Sequence, residues 1–240
     1  MNLAIDIGNT RIKIGAFKGE HLERTWTLDR AGLEELSRLM TNQNVENVIL
    51  SNVGKPLKPL PSGQYRLLTL DAKTPLPFNL DYRTPETLGQ DRLAAVAGAQ
   101  QLFPGQSSVV IDAGTCVTYD FLVEGRLHLG GNISPGLDMR FAALHELTAR
   151  LPRLRPARTE HWIGNSTESA MRNGVQEGLS FEMEAMLDRA VAEMGRINVI
   201  LTGGDAEFFA KRLKRKIFVN QNLVLIGLNK ILTHNVEHSE

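Results

Sequence analysis

The sequence predicts an α/β protein built from two similar domains. Three observations carry that expectation: an acid-glycine hairpin occurs twice, strand-like and helix-like segments alternate, and the two hairpins lie a little under half of the 240 residues apart. A chain of this length suits one large domain or two of about 100 to 130 residues. Its 42% hydrophobic content is enough for a sizeable core.

The first element is "LAIDIGNTRIKIGAF", residues 3–17. Leu3, Ile5 and Ile7 alternate with Ala4 and Asp6, and Ile12, Ile14 and Ala16 alternate with Arg11, Lys13 and Gly15, which reads as two half-buried strands around a Gly8-Asn9-Thr10 turn. Residues 31–40 have helical spacing, 46–52 ("ENVILSN") read as a buried strand, and 54–63 ("GKPLKPLPSG") as a surface connection. An alanine-rich helix is expected at 91–103 ("DRLAAVAGAQQLF"). After Pro104-Gly105 the hairpin returns in "SSVVIDAGTCVTYDFL", and Asp112 follows Asp6 by 106 positions. The domains are accordingly expected at 1–105 and 106–240. A weaker echo, "NVILSN" against "NVILTG", is offset by 151, which would put roughly 45 extra residues in the second half. Helices are expected at 137–150, 168–195 and 206–214, with "INVILTGG" a buried strand entering a glycine turn. Strands interleaved with helices argue for α/β layers. "GGNISPG" (130–136) is too rich in glycine and proline for a helix or regular strand, and the arginines at 150, 153, 155 and 158 read as a solvated loop.

Lys+Arg and Asp+Glu both total 27, so a global electrostatic case for nucleic acid or an anionic membrane is missing. No apolar run reaches membrane-spanning length. The single cysteine, Cys116, excludes an internal disulfide framework and fits a reducing compartment, and the N-terminus lacks a signal-peptide pattern, so a cytoplasmic protein acting on small molecules is expected. Of the six histidines none is read as a metal-ligand pair, no serine occupies a nucleophile elbow, and no P-loop is present.

An aspartate beside a turn can simply hydrogen-bond that turn. The alternative is chemical. A glycine after the acid lets backbone approach an anion, and turn N–H groups with threonine hydroxyls donate to phosphate oxygens. A carboxylate there needs a cation between itself and the phosphates, and Mg²⁺ binds through one or two carboxylates, phosphates and water. Two such hairpins would clamp the phosphates of a nucleotide, with Gly203-Gly204 leaving room for adenosine against backbone.

Taken in order, "DIGNT" (6–10), "LGQDR" (88–92), "DAGT" (112–115), "GGNISPG" (130–136) and "TGG" (202–204) resemble the type III pantothenate kinases, over the full length. "YRTPETLGQDR" with Tyr82 and the tail "NLVLIGLNKIL" extend the resemblance, and Cys116 stands where alanine is common. The resemblance implies two ribonuclease-H-like domains of the actin, sugar-kinase and heat-shock-ATPase superfamily, with mixed sheets flanked by helices and the active site in the cleft between them. It implies a homodimer that phosphorylates pantothenate with Mg²⁺ and ATP and requires a monovalent cation, K⁺ or NH₄⁺.

Site residues follow from the same motifs. Asp91 matches the family's general base and alternatively is a helix-terminal acid favoured by the macrodipole. Gly89, Gln90, Asp91, Arg92 and Tyr82 are expected to contact pantothenate, Arg92 by a fork on its carboxylate, although Arg92 also reads as a solvated surface arginine and Tyr82 as a core or interface tyrosine. Asp6, Ile7, Gly8, Asn9, Thr10, Arg11, Ile12, Lys13 and Thr115 are assigned to ATP and its phosphates, with Asp6 associated with Mg²⁺. Asp112 is assigned the monovalent cation, although a second Mg²⁺ would suit it equally. The resemblance puts Thr167 at the pantothenate site across a dimer interface; otherwise it is a helix cap, with Asn165 and Glu168. A kinase for another small hydroxy substrate, a phosphatase of polyphosphate type, and a nucleotide-binding regulatory protein without turnover all share the phosphate motifs. Asp91 argues for chemistry.

Overall fold

A computed structural model describes residues 1–8, 11–29, 44–52 and 65–238. Asn9, Thr10, the helix expected at 31–40 and the connection expected at 54–63 lie outside the described residues. The strands are β1 (Asn2–Ile7), β2 (Arg11–Lys18), β3 (His21–Asp29), β4 (Asn47–Asn52), β5 (Arg66–Thr69), β6 (Asn79–Leu80), β7 (Ser108–Ala113), β8 (Cys116–Val123), β9 (Leu127–Pro135), β10 (Asn198–Thr202) and β11 (Phe218–Val219). The helices are α1 (Gln90–Leu102), α2 (Leu137–Glu146), α3 (Thr167–Met194), α4 (Ala206–Ala210) and α5 (Leu223–Glu237).

The chain divides into two compact units. Unit 1 comprises Met1–Gln106, Leu122–Gly130 and Asn222–Glu240; unit 2 comprises Ser107–Phe121 and Gly131–Gln221.

In unit 1 the strand order is β3-β2-β1-β4-β5. β1 is central, antiparallel to β2 and parallel to β4, so Leu3, Ala4, Ile5 and Ile7 are all buried and the strand reads as near-continuously apolar. Helices α1 and α5 pack against each other, and α5 lies on β1, β2 and β4. Their approach explains the alanine-rich composition of α1. A Cβ at Gly227 would lie 1.6 Å from the Ala94 carbonyl oxygen, and one at Gly98 would lie 2.4 Å from that of Leu223, so only glycine fits at these two positions of the crossing.

The second sheet repeats the plan as β9-β8-β7-β10-β11, with β6 added as a sixth strand beside β9. In unit 1 Asp6 of β1 lies opposite Ser51 of the parallel strand β4, and in unit 2 Asp112 of β7 lies opposite Thr202 of the parallel strand β10. The "NVILSN" and "NVILTG" echo is therefore one strand in two copies. The extra length sits between β9 and β10, residues 136–197, against 30–46 between β3 and β4. Most of it is α2 and α3; Met171, Val175, Leu179, Met183 and Leu187 of α3 form a buried stripe in one core with Val109, Ile111, Phe141 and Phe209.

Three local expectations need correction. "GGNISPG" is not irregular: β9 runs through Pro135, because pairing with β8 outweighs the composition, and Gly130 absorbs the irregularity at φ 81°. The helix expected at 206–214 stops at Ala210, where Lys211, Arg212, Lys214, Arg215 and Lys216 would place like charges four apart. The helix expected at 137–150 ends at Glu146. The arginines at 150, 153, 155 and 158 do lie on an irregular exposed segment, anchored by buried Leu154. Among the described residues no helix is long and apolar enough to cross a membrane.

Candidate active site

In unit 1 the β1 ladder carries Asp6 to the mouth of the first hairpin, in register with Lys13 on one side and Ser51 on the other. Its Oδ1 and the Ser51 hydroxyl beside it are both buried and make no hydrogen bond of normal length and angle, although the hydroxyl lies close enough to weigh on the Asp6 carboxyl. Burial first, and the carboxylate of Asp91 second, push the Asp6 carboxyl from 3.8 up to about 6; Lys13 and Ser51 offset part of that shift. Orphaned carboxylate oxygens are costly in a protein interior. An atom of this kind, beside a lysine and a glycine turn, fits a hydrated divalent cation that arrives with phosphates. Among the described residues no group of three or more His, Cys, Asp or Glu forms a cage of its own.

The Gly8 N–H donates to the Arg11 carbonyl across the turn at 3.0 Å, and Arg11 is exposed there. The side chains of Ile7 and Ile12 are fully buried in the sheet core, so backbone alone is what those two positions offer.

Asp91 lies in the first turn of α1, where its Oδ1 accepts the Arg92 N–H at 2.9 Å. A Cβ at Gly89 would lie 2.5 Å from that oxygen, so glycine is what lets the carboxylate rest there. The Gln90 side-chain carbonyl accepts the Asn52 N–H at 2.9 Å, tying the end of β4, next to Ser51, to the start of α1. That bond helps bring Asp91 within electrostatic reach of Asp6. Arg92 is not a solvated surface arginine: it is 6% exposed. Tyr82 is half-buried against the apolar cluster of unit 1, and its ring lies over Gly130, where a Cβ would come within 2.8 Å of it. Tyr82 and "GGNISPG" thus meet.

In unit 2 Asp112 is the last residue but one of β7, and the Gly114 N–H closes the hairpin on the Cys116 carbonyl at 3.0 Å, leaving Thr115 exposed at the tip. Two glycines enclose the acid. A Cβ at Gly114 would lie 3.1 Å from Asp112 Oδ1, and one at Gly203, whose φ is 92°, would lie 2.4 Å from it. The Asp205 N–H donates to the Ala113 carbonyl at 2.9 Å, which seats the glycine turn after β10 on the hairpin. Burial, then the nearby Asp138, raise the Asp205 carboxyl above its ordinary value.

Thr167 is exposed at the start of α3, and the cap is Ser166, which exchanges hydrogen bonds with Ser169. The capping role considered for Thr167 with Asn165 and Glu168 therefore falls to its neighbours. Histidine spacing also needs correction: His234 of α5 and His238, which caps its C-terminus, are four apart and bring their rings to 4.3 Å between centroids. Ser51 was missed in the sequence, although the serine and threonine that end the two "NVIL" strands were its signal. A cavity of about 840 Å³ lined by Asn2, Lys18, Arg24 and Trp26 lies at the opposite end of β1 from Asp6 and holds none of the expected site residues.

With this geometry in place, the likeness to known proteins is specific. Residues 2–189 match the family model for type III pantothenate kinase. A type III pantothenate kinase from Cytophaga hutchinsonii is 40% identical over 241 residues, covering 98% of this chain and 100% of its own, and one from Christiangramia forsetii is 41% identical over 240 residues, covering 98% and 99%. Among solved structures, a Campylobacter jejuni protein described as a Baf-family transcriptional activator superposes with a TM-score of 0.65 at 23% identity, covering 98% of this chain and 99% of its own. A Streptococcus pneumoniae ROK-family protein superposes with a TM-score of 0.53 at 12% identity, covering 99% of each. At those identities the two structures speak for the fold alone.

Proposed function

The chain belongs to the type III pantothenate kinases, and from that premise we propose which of its residues carry the ATP-dependent phosphorylation of pantothenate that opens coenzyme A synthesis. The observation that carries the proposal is the convergence of Asp6 and Asp91, with one oxygen of Asp6 buried and unsatisfied.

Asp91 orients the primary hydroxyl of pantothenate and accepts its proton. The hydroxyl oxygen bonds to the γ-phosphorus, the bond from that phosphorus to the β–γ bridging oxygen breaks, and ADP leaves with the electron pair. Positioning and charge stabilisation dominate such transfers, so a carboxylate that takes the proton late is sufficient. Arg92, largely withdrawn from water, offers a two-pronged contact to the pantothenate carboxylate, and a fork is worth more there than at an exposed site. Tyr82, braced on Gly130, walls the acceptor site with Gly89 and Gln90.

Lys13, Arg11, backbone at 7–12 and the Thr115 hydroxyl contact the phosphates. Asp6 would hold Mg²⁺, which would neutralise phosphate charge there. Asp112, enclosed by Gly114 and Gly203, holds a monovalent cation, K⁺ or NH₄⁺. Exposed Ile133, Leu147, Trp162, Ile163 and Phe181 of unit 2 support a homodimer, in which exposed Thr167 reaches a partner's acceptor site. The lone cysteine supports a cytoplasmic location.

The test is ADP release from Mg²⁺ and ATP, with and without pantothenate, in potassium and in sodium, for the native protein and Asp91→Asn. Pantothenate-dependent turnover that needs potassium and collapses in the variant is the expected result. Turnover independent of pantothenate would assign the phosphate clamp to another acceptor.

A further inference from the structure

Behind the second hairpin lies a polar cluster that the phosphoryl-transfer reading does not use. Glu182 of α3 accepts from the Tyr119 hydroxyl of β8 at 2.9 Å, from the Ser134 hydroxyl of β9 at 3.1 Å, and from Arg140 of α2, with which it forms an ion pair. Arg140 also donates to the same strand: Nη2 to the Ser134 hydroxyl at 2.7 Å and Nε to the Pro135 carbonyl at 2.8 Å. Burial pushes the Glu182 carboxyl up, but the bonds from Arg140, Tyr119 and Ser134 more than reverse this and leave it below the usual range. The ion pair is therefore fully formed at neutral pH.

The next residue is Gly136. Its N–H donates to the Thr115 carbonyl at 3.2 Å, and a Cβ on it would lie 2.3 Å from that oxygen and 2.4 Å from the Gly114 carbonyl oxygen. The backbone at 135–136 is thus the wall on which the Asp112–Thr115 turn rests, and Arg140 fixes that wall by its carbonyl. Packing alone would not require this. Phe141, Leu179, Met183 and Leu187 already bury the surfaces of α2 and α3, and a half-buried ion pair adds little stability that well-packed apolar side chains would not. Directional bonds give placement, which packing gives less sharply.

We infer that Arg140 and Glu182 are positioning residues for the Asp112–Thr115 turn, acting through the Pro135–Gly136 backbone. The kinetic consequence rests on the reading of Thr115 as a phosphate contact; the structural consequence does not.

Arg140→Lys keeps the charge and loses the fork that serves Ser134 and the Pro135 carbonyl together, while Glu182→Gln keeps the size of the side chain but loses the charge and one of its two acceptor oxygens. Amide hydrogen exchange followed residue by residue in each variant should quicken at Gly114 and Gly136 by on the order of ten-fold, with β7 unchanged. In steady-state kinetics KM for ATP should rise on the order of ten-fold while KM for pantothenate holds, the scale for a residue acting through contiguous contacts. Tyr119→Phe separates placement from stability: it removes one bond to Glu182 without touching the Pro135 contact, so Tm should fall while KM for ATP stays put. Unchanged exchange at Gly114 and Gly136 in Arg140→Lys would overturn the inference. So would faster exchange with both KM values drifting in parallel with Tm, since that is the mark of general loosening. A native protein that fails to turn over ATP with pantothenate would sink the reading of the site instead, and the exchange measurement would still decide the clamp.

Discussion

Asp6 and Asp91 stand on different elements of unit 1, yet the carboxylate of Asp91 bears on the ionisation of Asp6. Burial is the larger influence and Asp91 the second, and together they hold the Asp6 carboxyl at about 6 in place of 3.8. Two acids within electrostatic reach of each other leave the ligand-free protein with a charge it would rather neutralise, and several measurable consequences arise from that.

The protonated form of Asp6 is the one the fold favours. Its contribution to stability is complete below the unfolded value of 3.8 and is lost as pH rises through about 6. The shift corresponds to about 3 kcal/mol at neutral pH. Asp6→Asn should therefore melt several degrees above the native protein at pH 7 in the absence of nucleotide, with the two curves converging near pH 4. Thermal melts between pH 4 and 8 would show it, and a variant no more stable than the native protein at pH 7 would mean that the buried charge is not a burden.

Asp91→Asn should act twice. As the proton acceptor is lost, kcat should fall by about 10² to 10⁴ with ATP affinity retained. As a negative neighbour is lost, the Asp6 carboxyl should titrate below 6. Carbon-detected NMR titration of Asp6 in the variant reads the second effect independently of turnover.

Arg92→Lys keeps the charge on a residue that is 6% exposed but loses the planar fork. KM for pantothenate should rise by about ten-fold or more, the scale of one charge-assisted contact, while KM for ATP holds. An equal rise in both would place Arg92 in the support of α1 rather than at the acceptor.

Two glycine substitutions should fail in different ways. Gly227→Ala drives a methyl into the Ala94 carbonyl and should separate α1 from α5, at a cost of about 3 kcal/mol or more, seen as a lower denaturation midpoint. Gly203→Ala meets Asp112 and Ala113 at a φ of 92°, so it should cost activity and shift the monovalent-cation dependence proposed for Asp112. Cation-activation curves on whatever folded protein is recovered distinguish the two.

Much of this was legible from residue order. The hairpins at Asp6 and Asp112 announced themselves by an acid and a glycine turn after an apolar run, although β1, like β7, is buried nearly throughout and not alternately as expected for it, and the "NVIL" echo marked the strand that each acid faces. What escaped depended on partners remote in sequence. Asp91 bears on Asp6 across two elements that the Gln90–Asn52 bond ties together, and no local pattern encodes that bond. The strand through "GGNISP" forms because β8 lies beside it, against the preference of its own glycines and proline. The burial of Arg92 was invisible because a helix read singly shows no neighbour, and α1, rich in alanine, shows almost no apolar face to orient it.

Unit 1 is interrupted in the chain, since its last helix, α5, is written after the whole of unit 2. During synthesis β1 to β5 and α1 emerge long before the helix that covers them, and the apolar faces of β1, β2 and β4 wait through residues 107–221 for their lid. Unit 2 has all of its sequence by Gln221. The half that carries Asp6 and Asp91 is thus the last to mature on the ribosome, and a nascent chain stalled before Asn222 would present a chaperone client instead of half an enzyme.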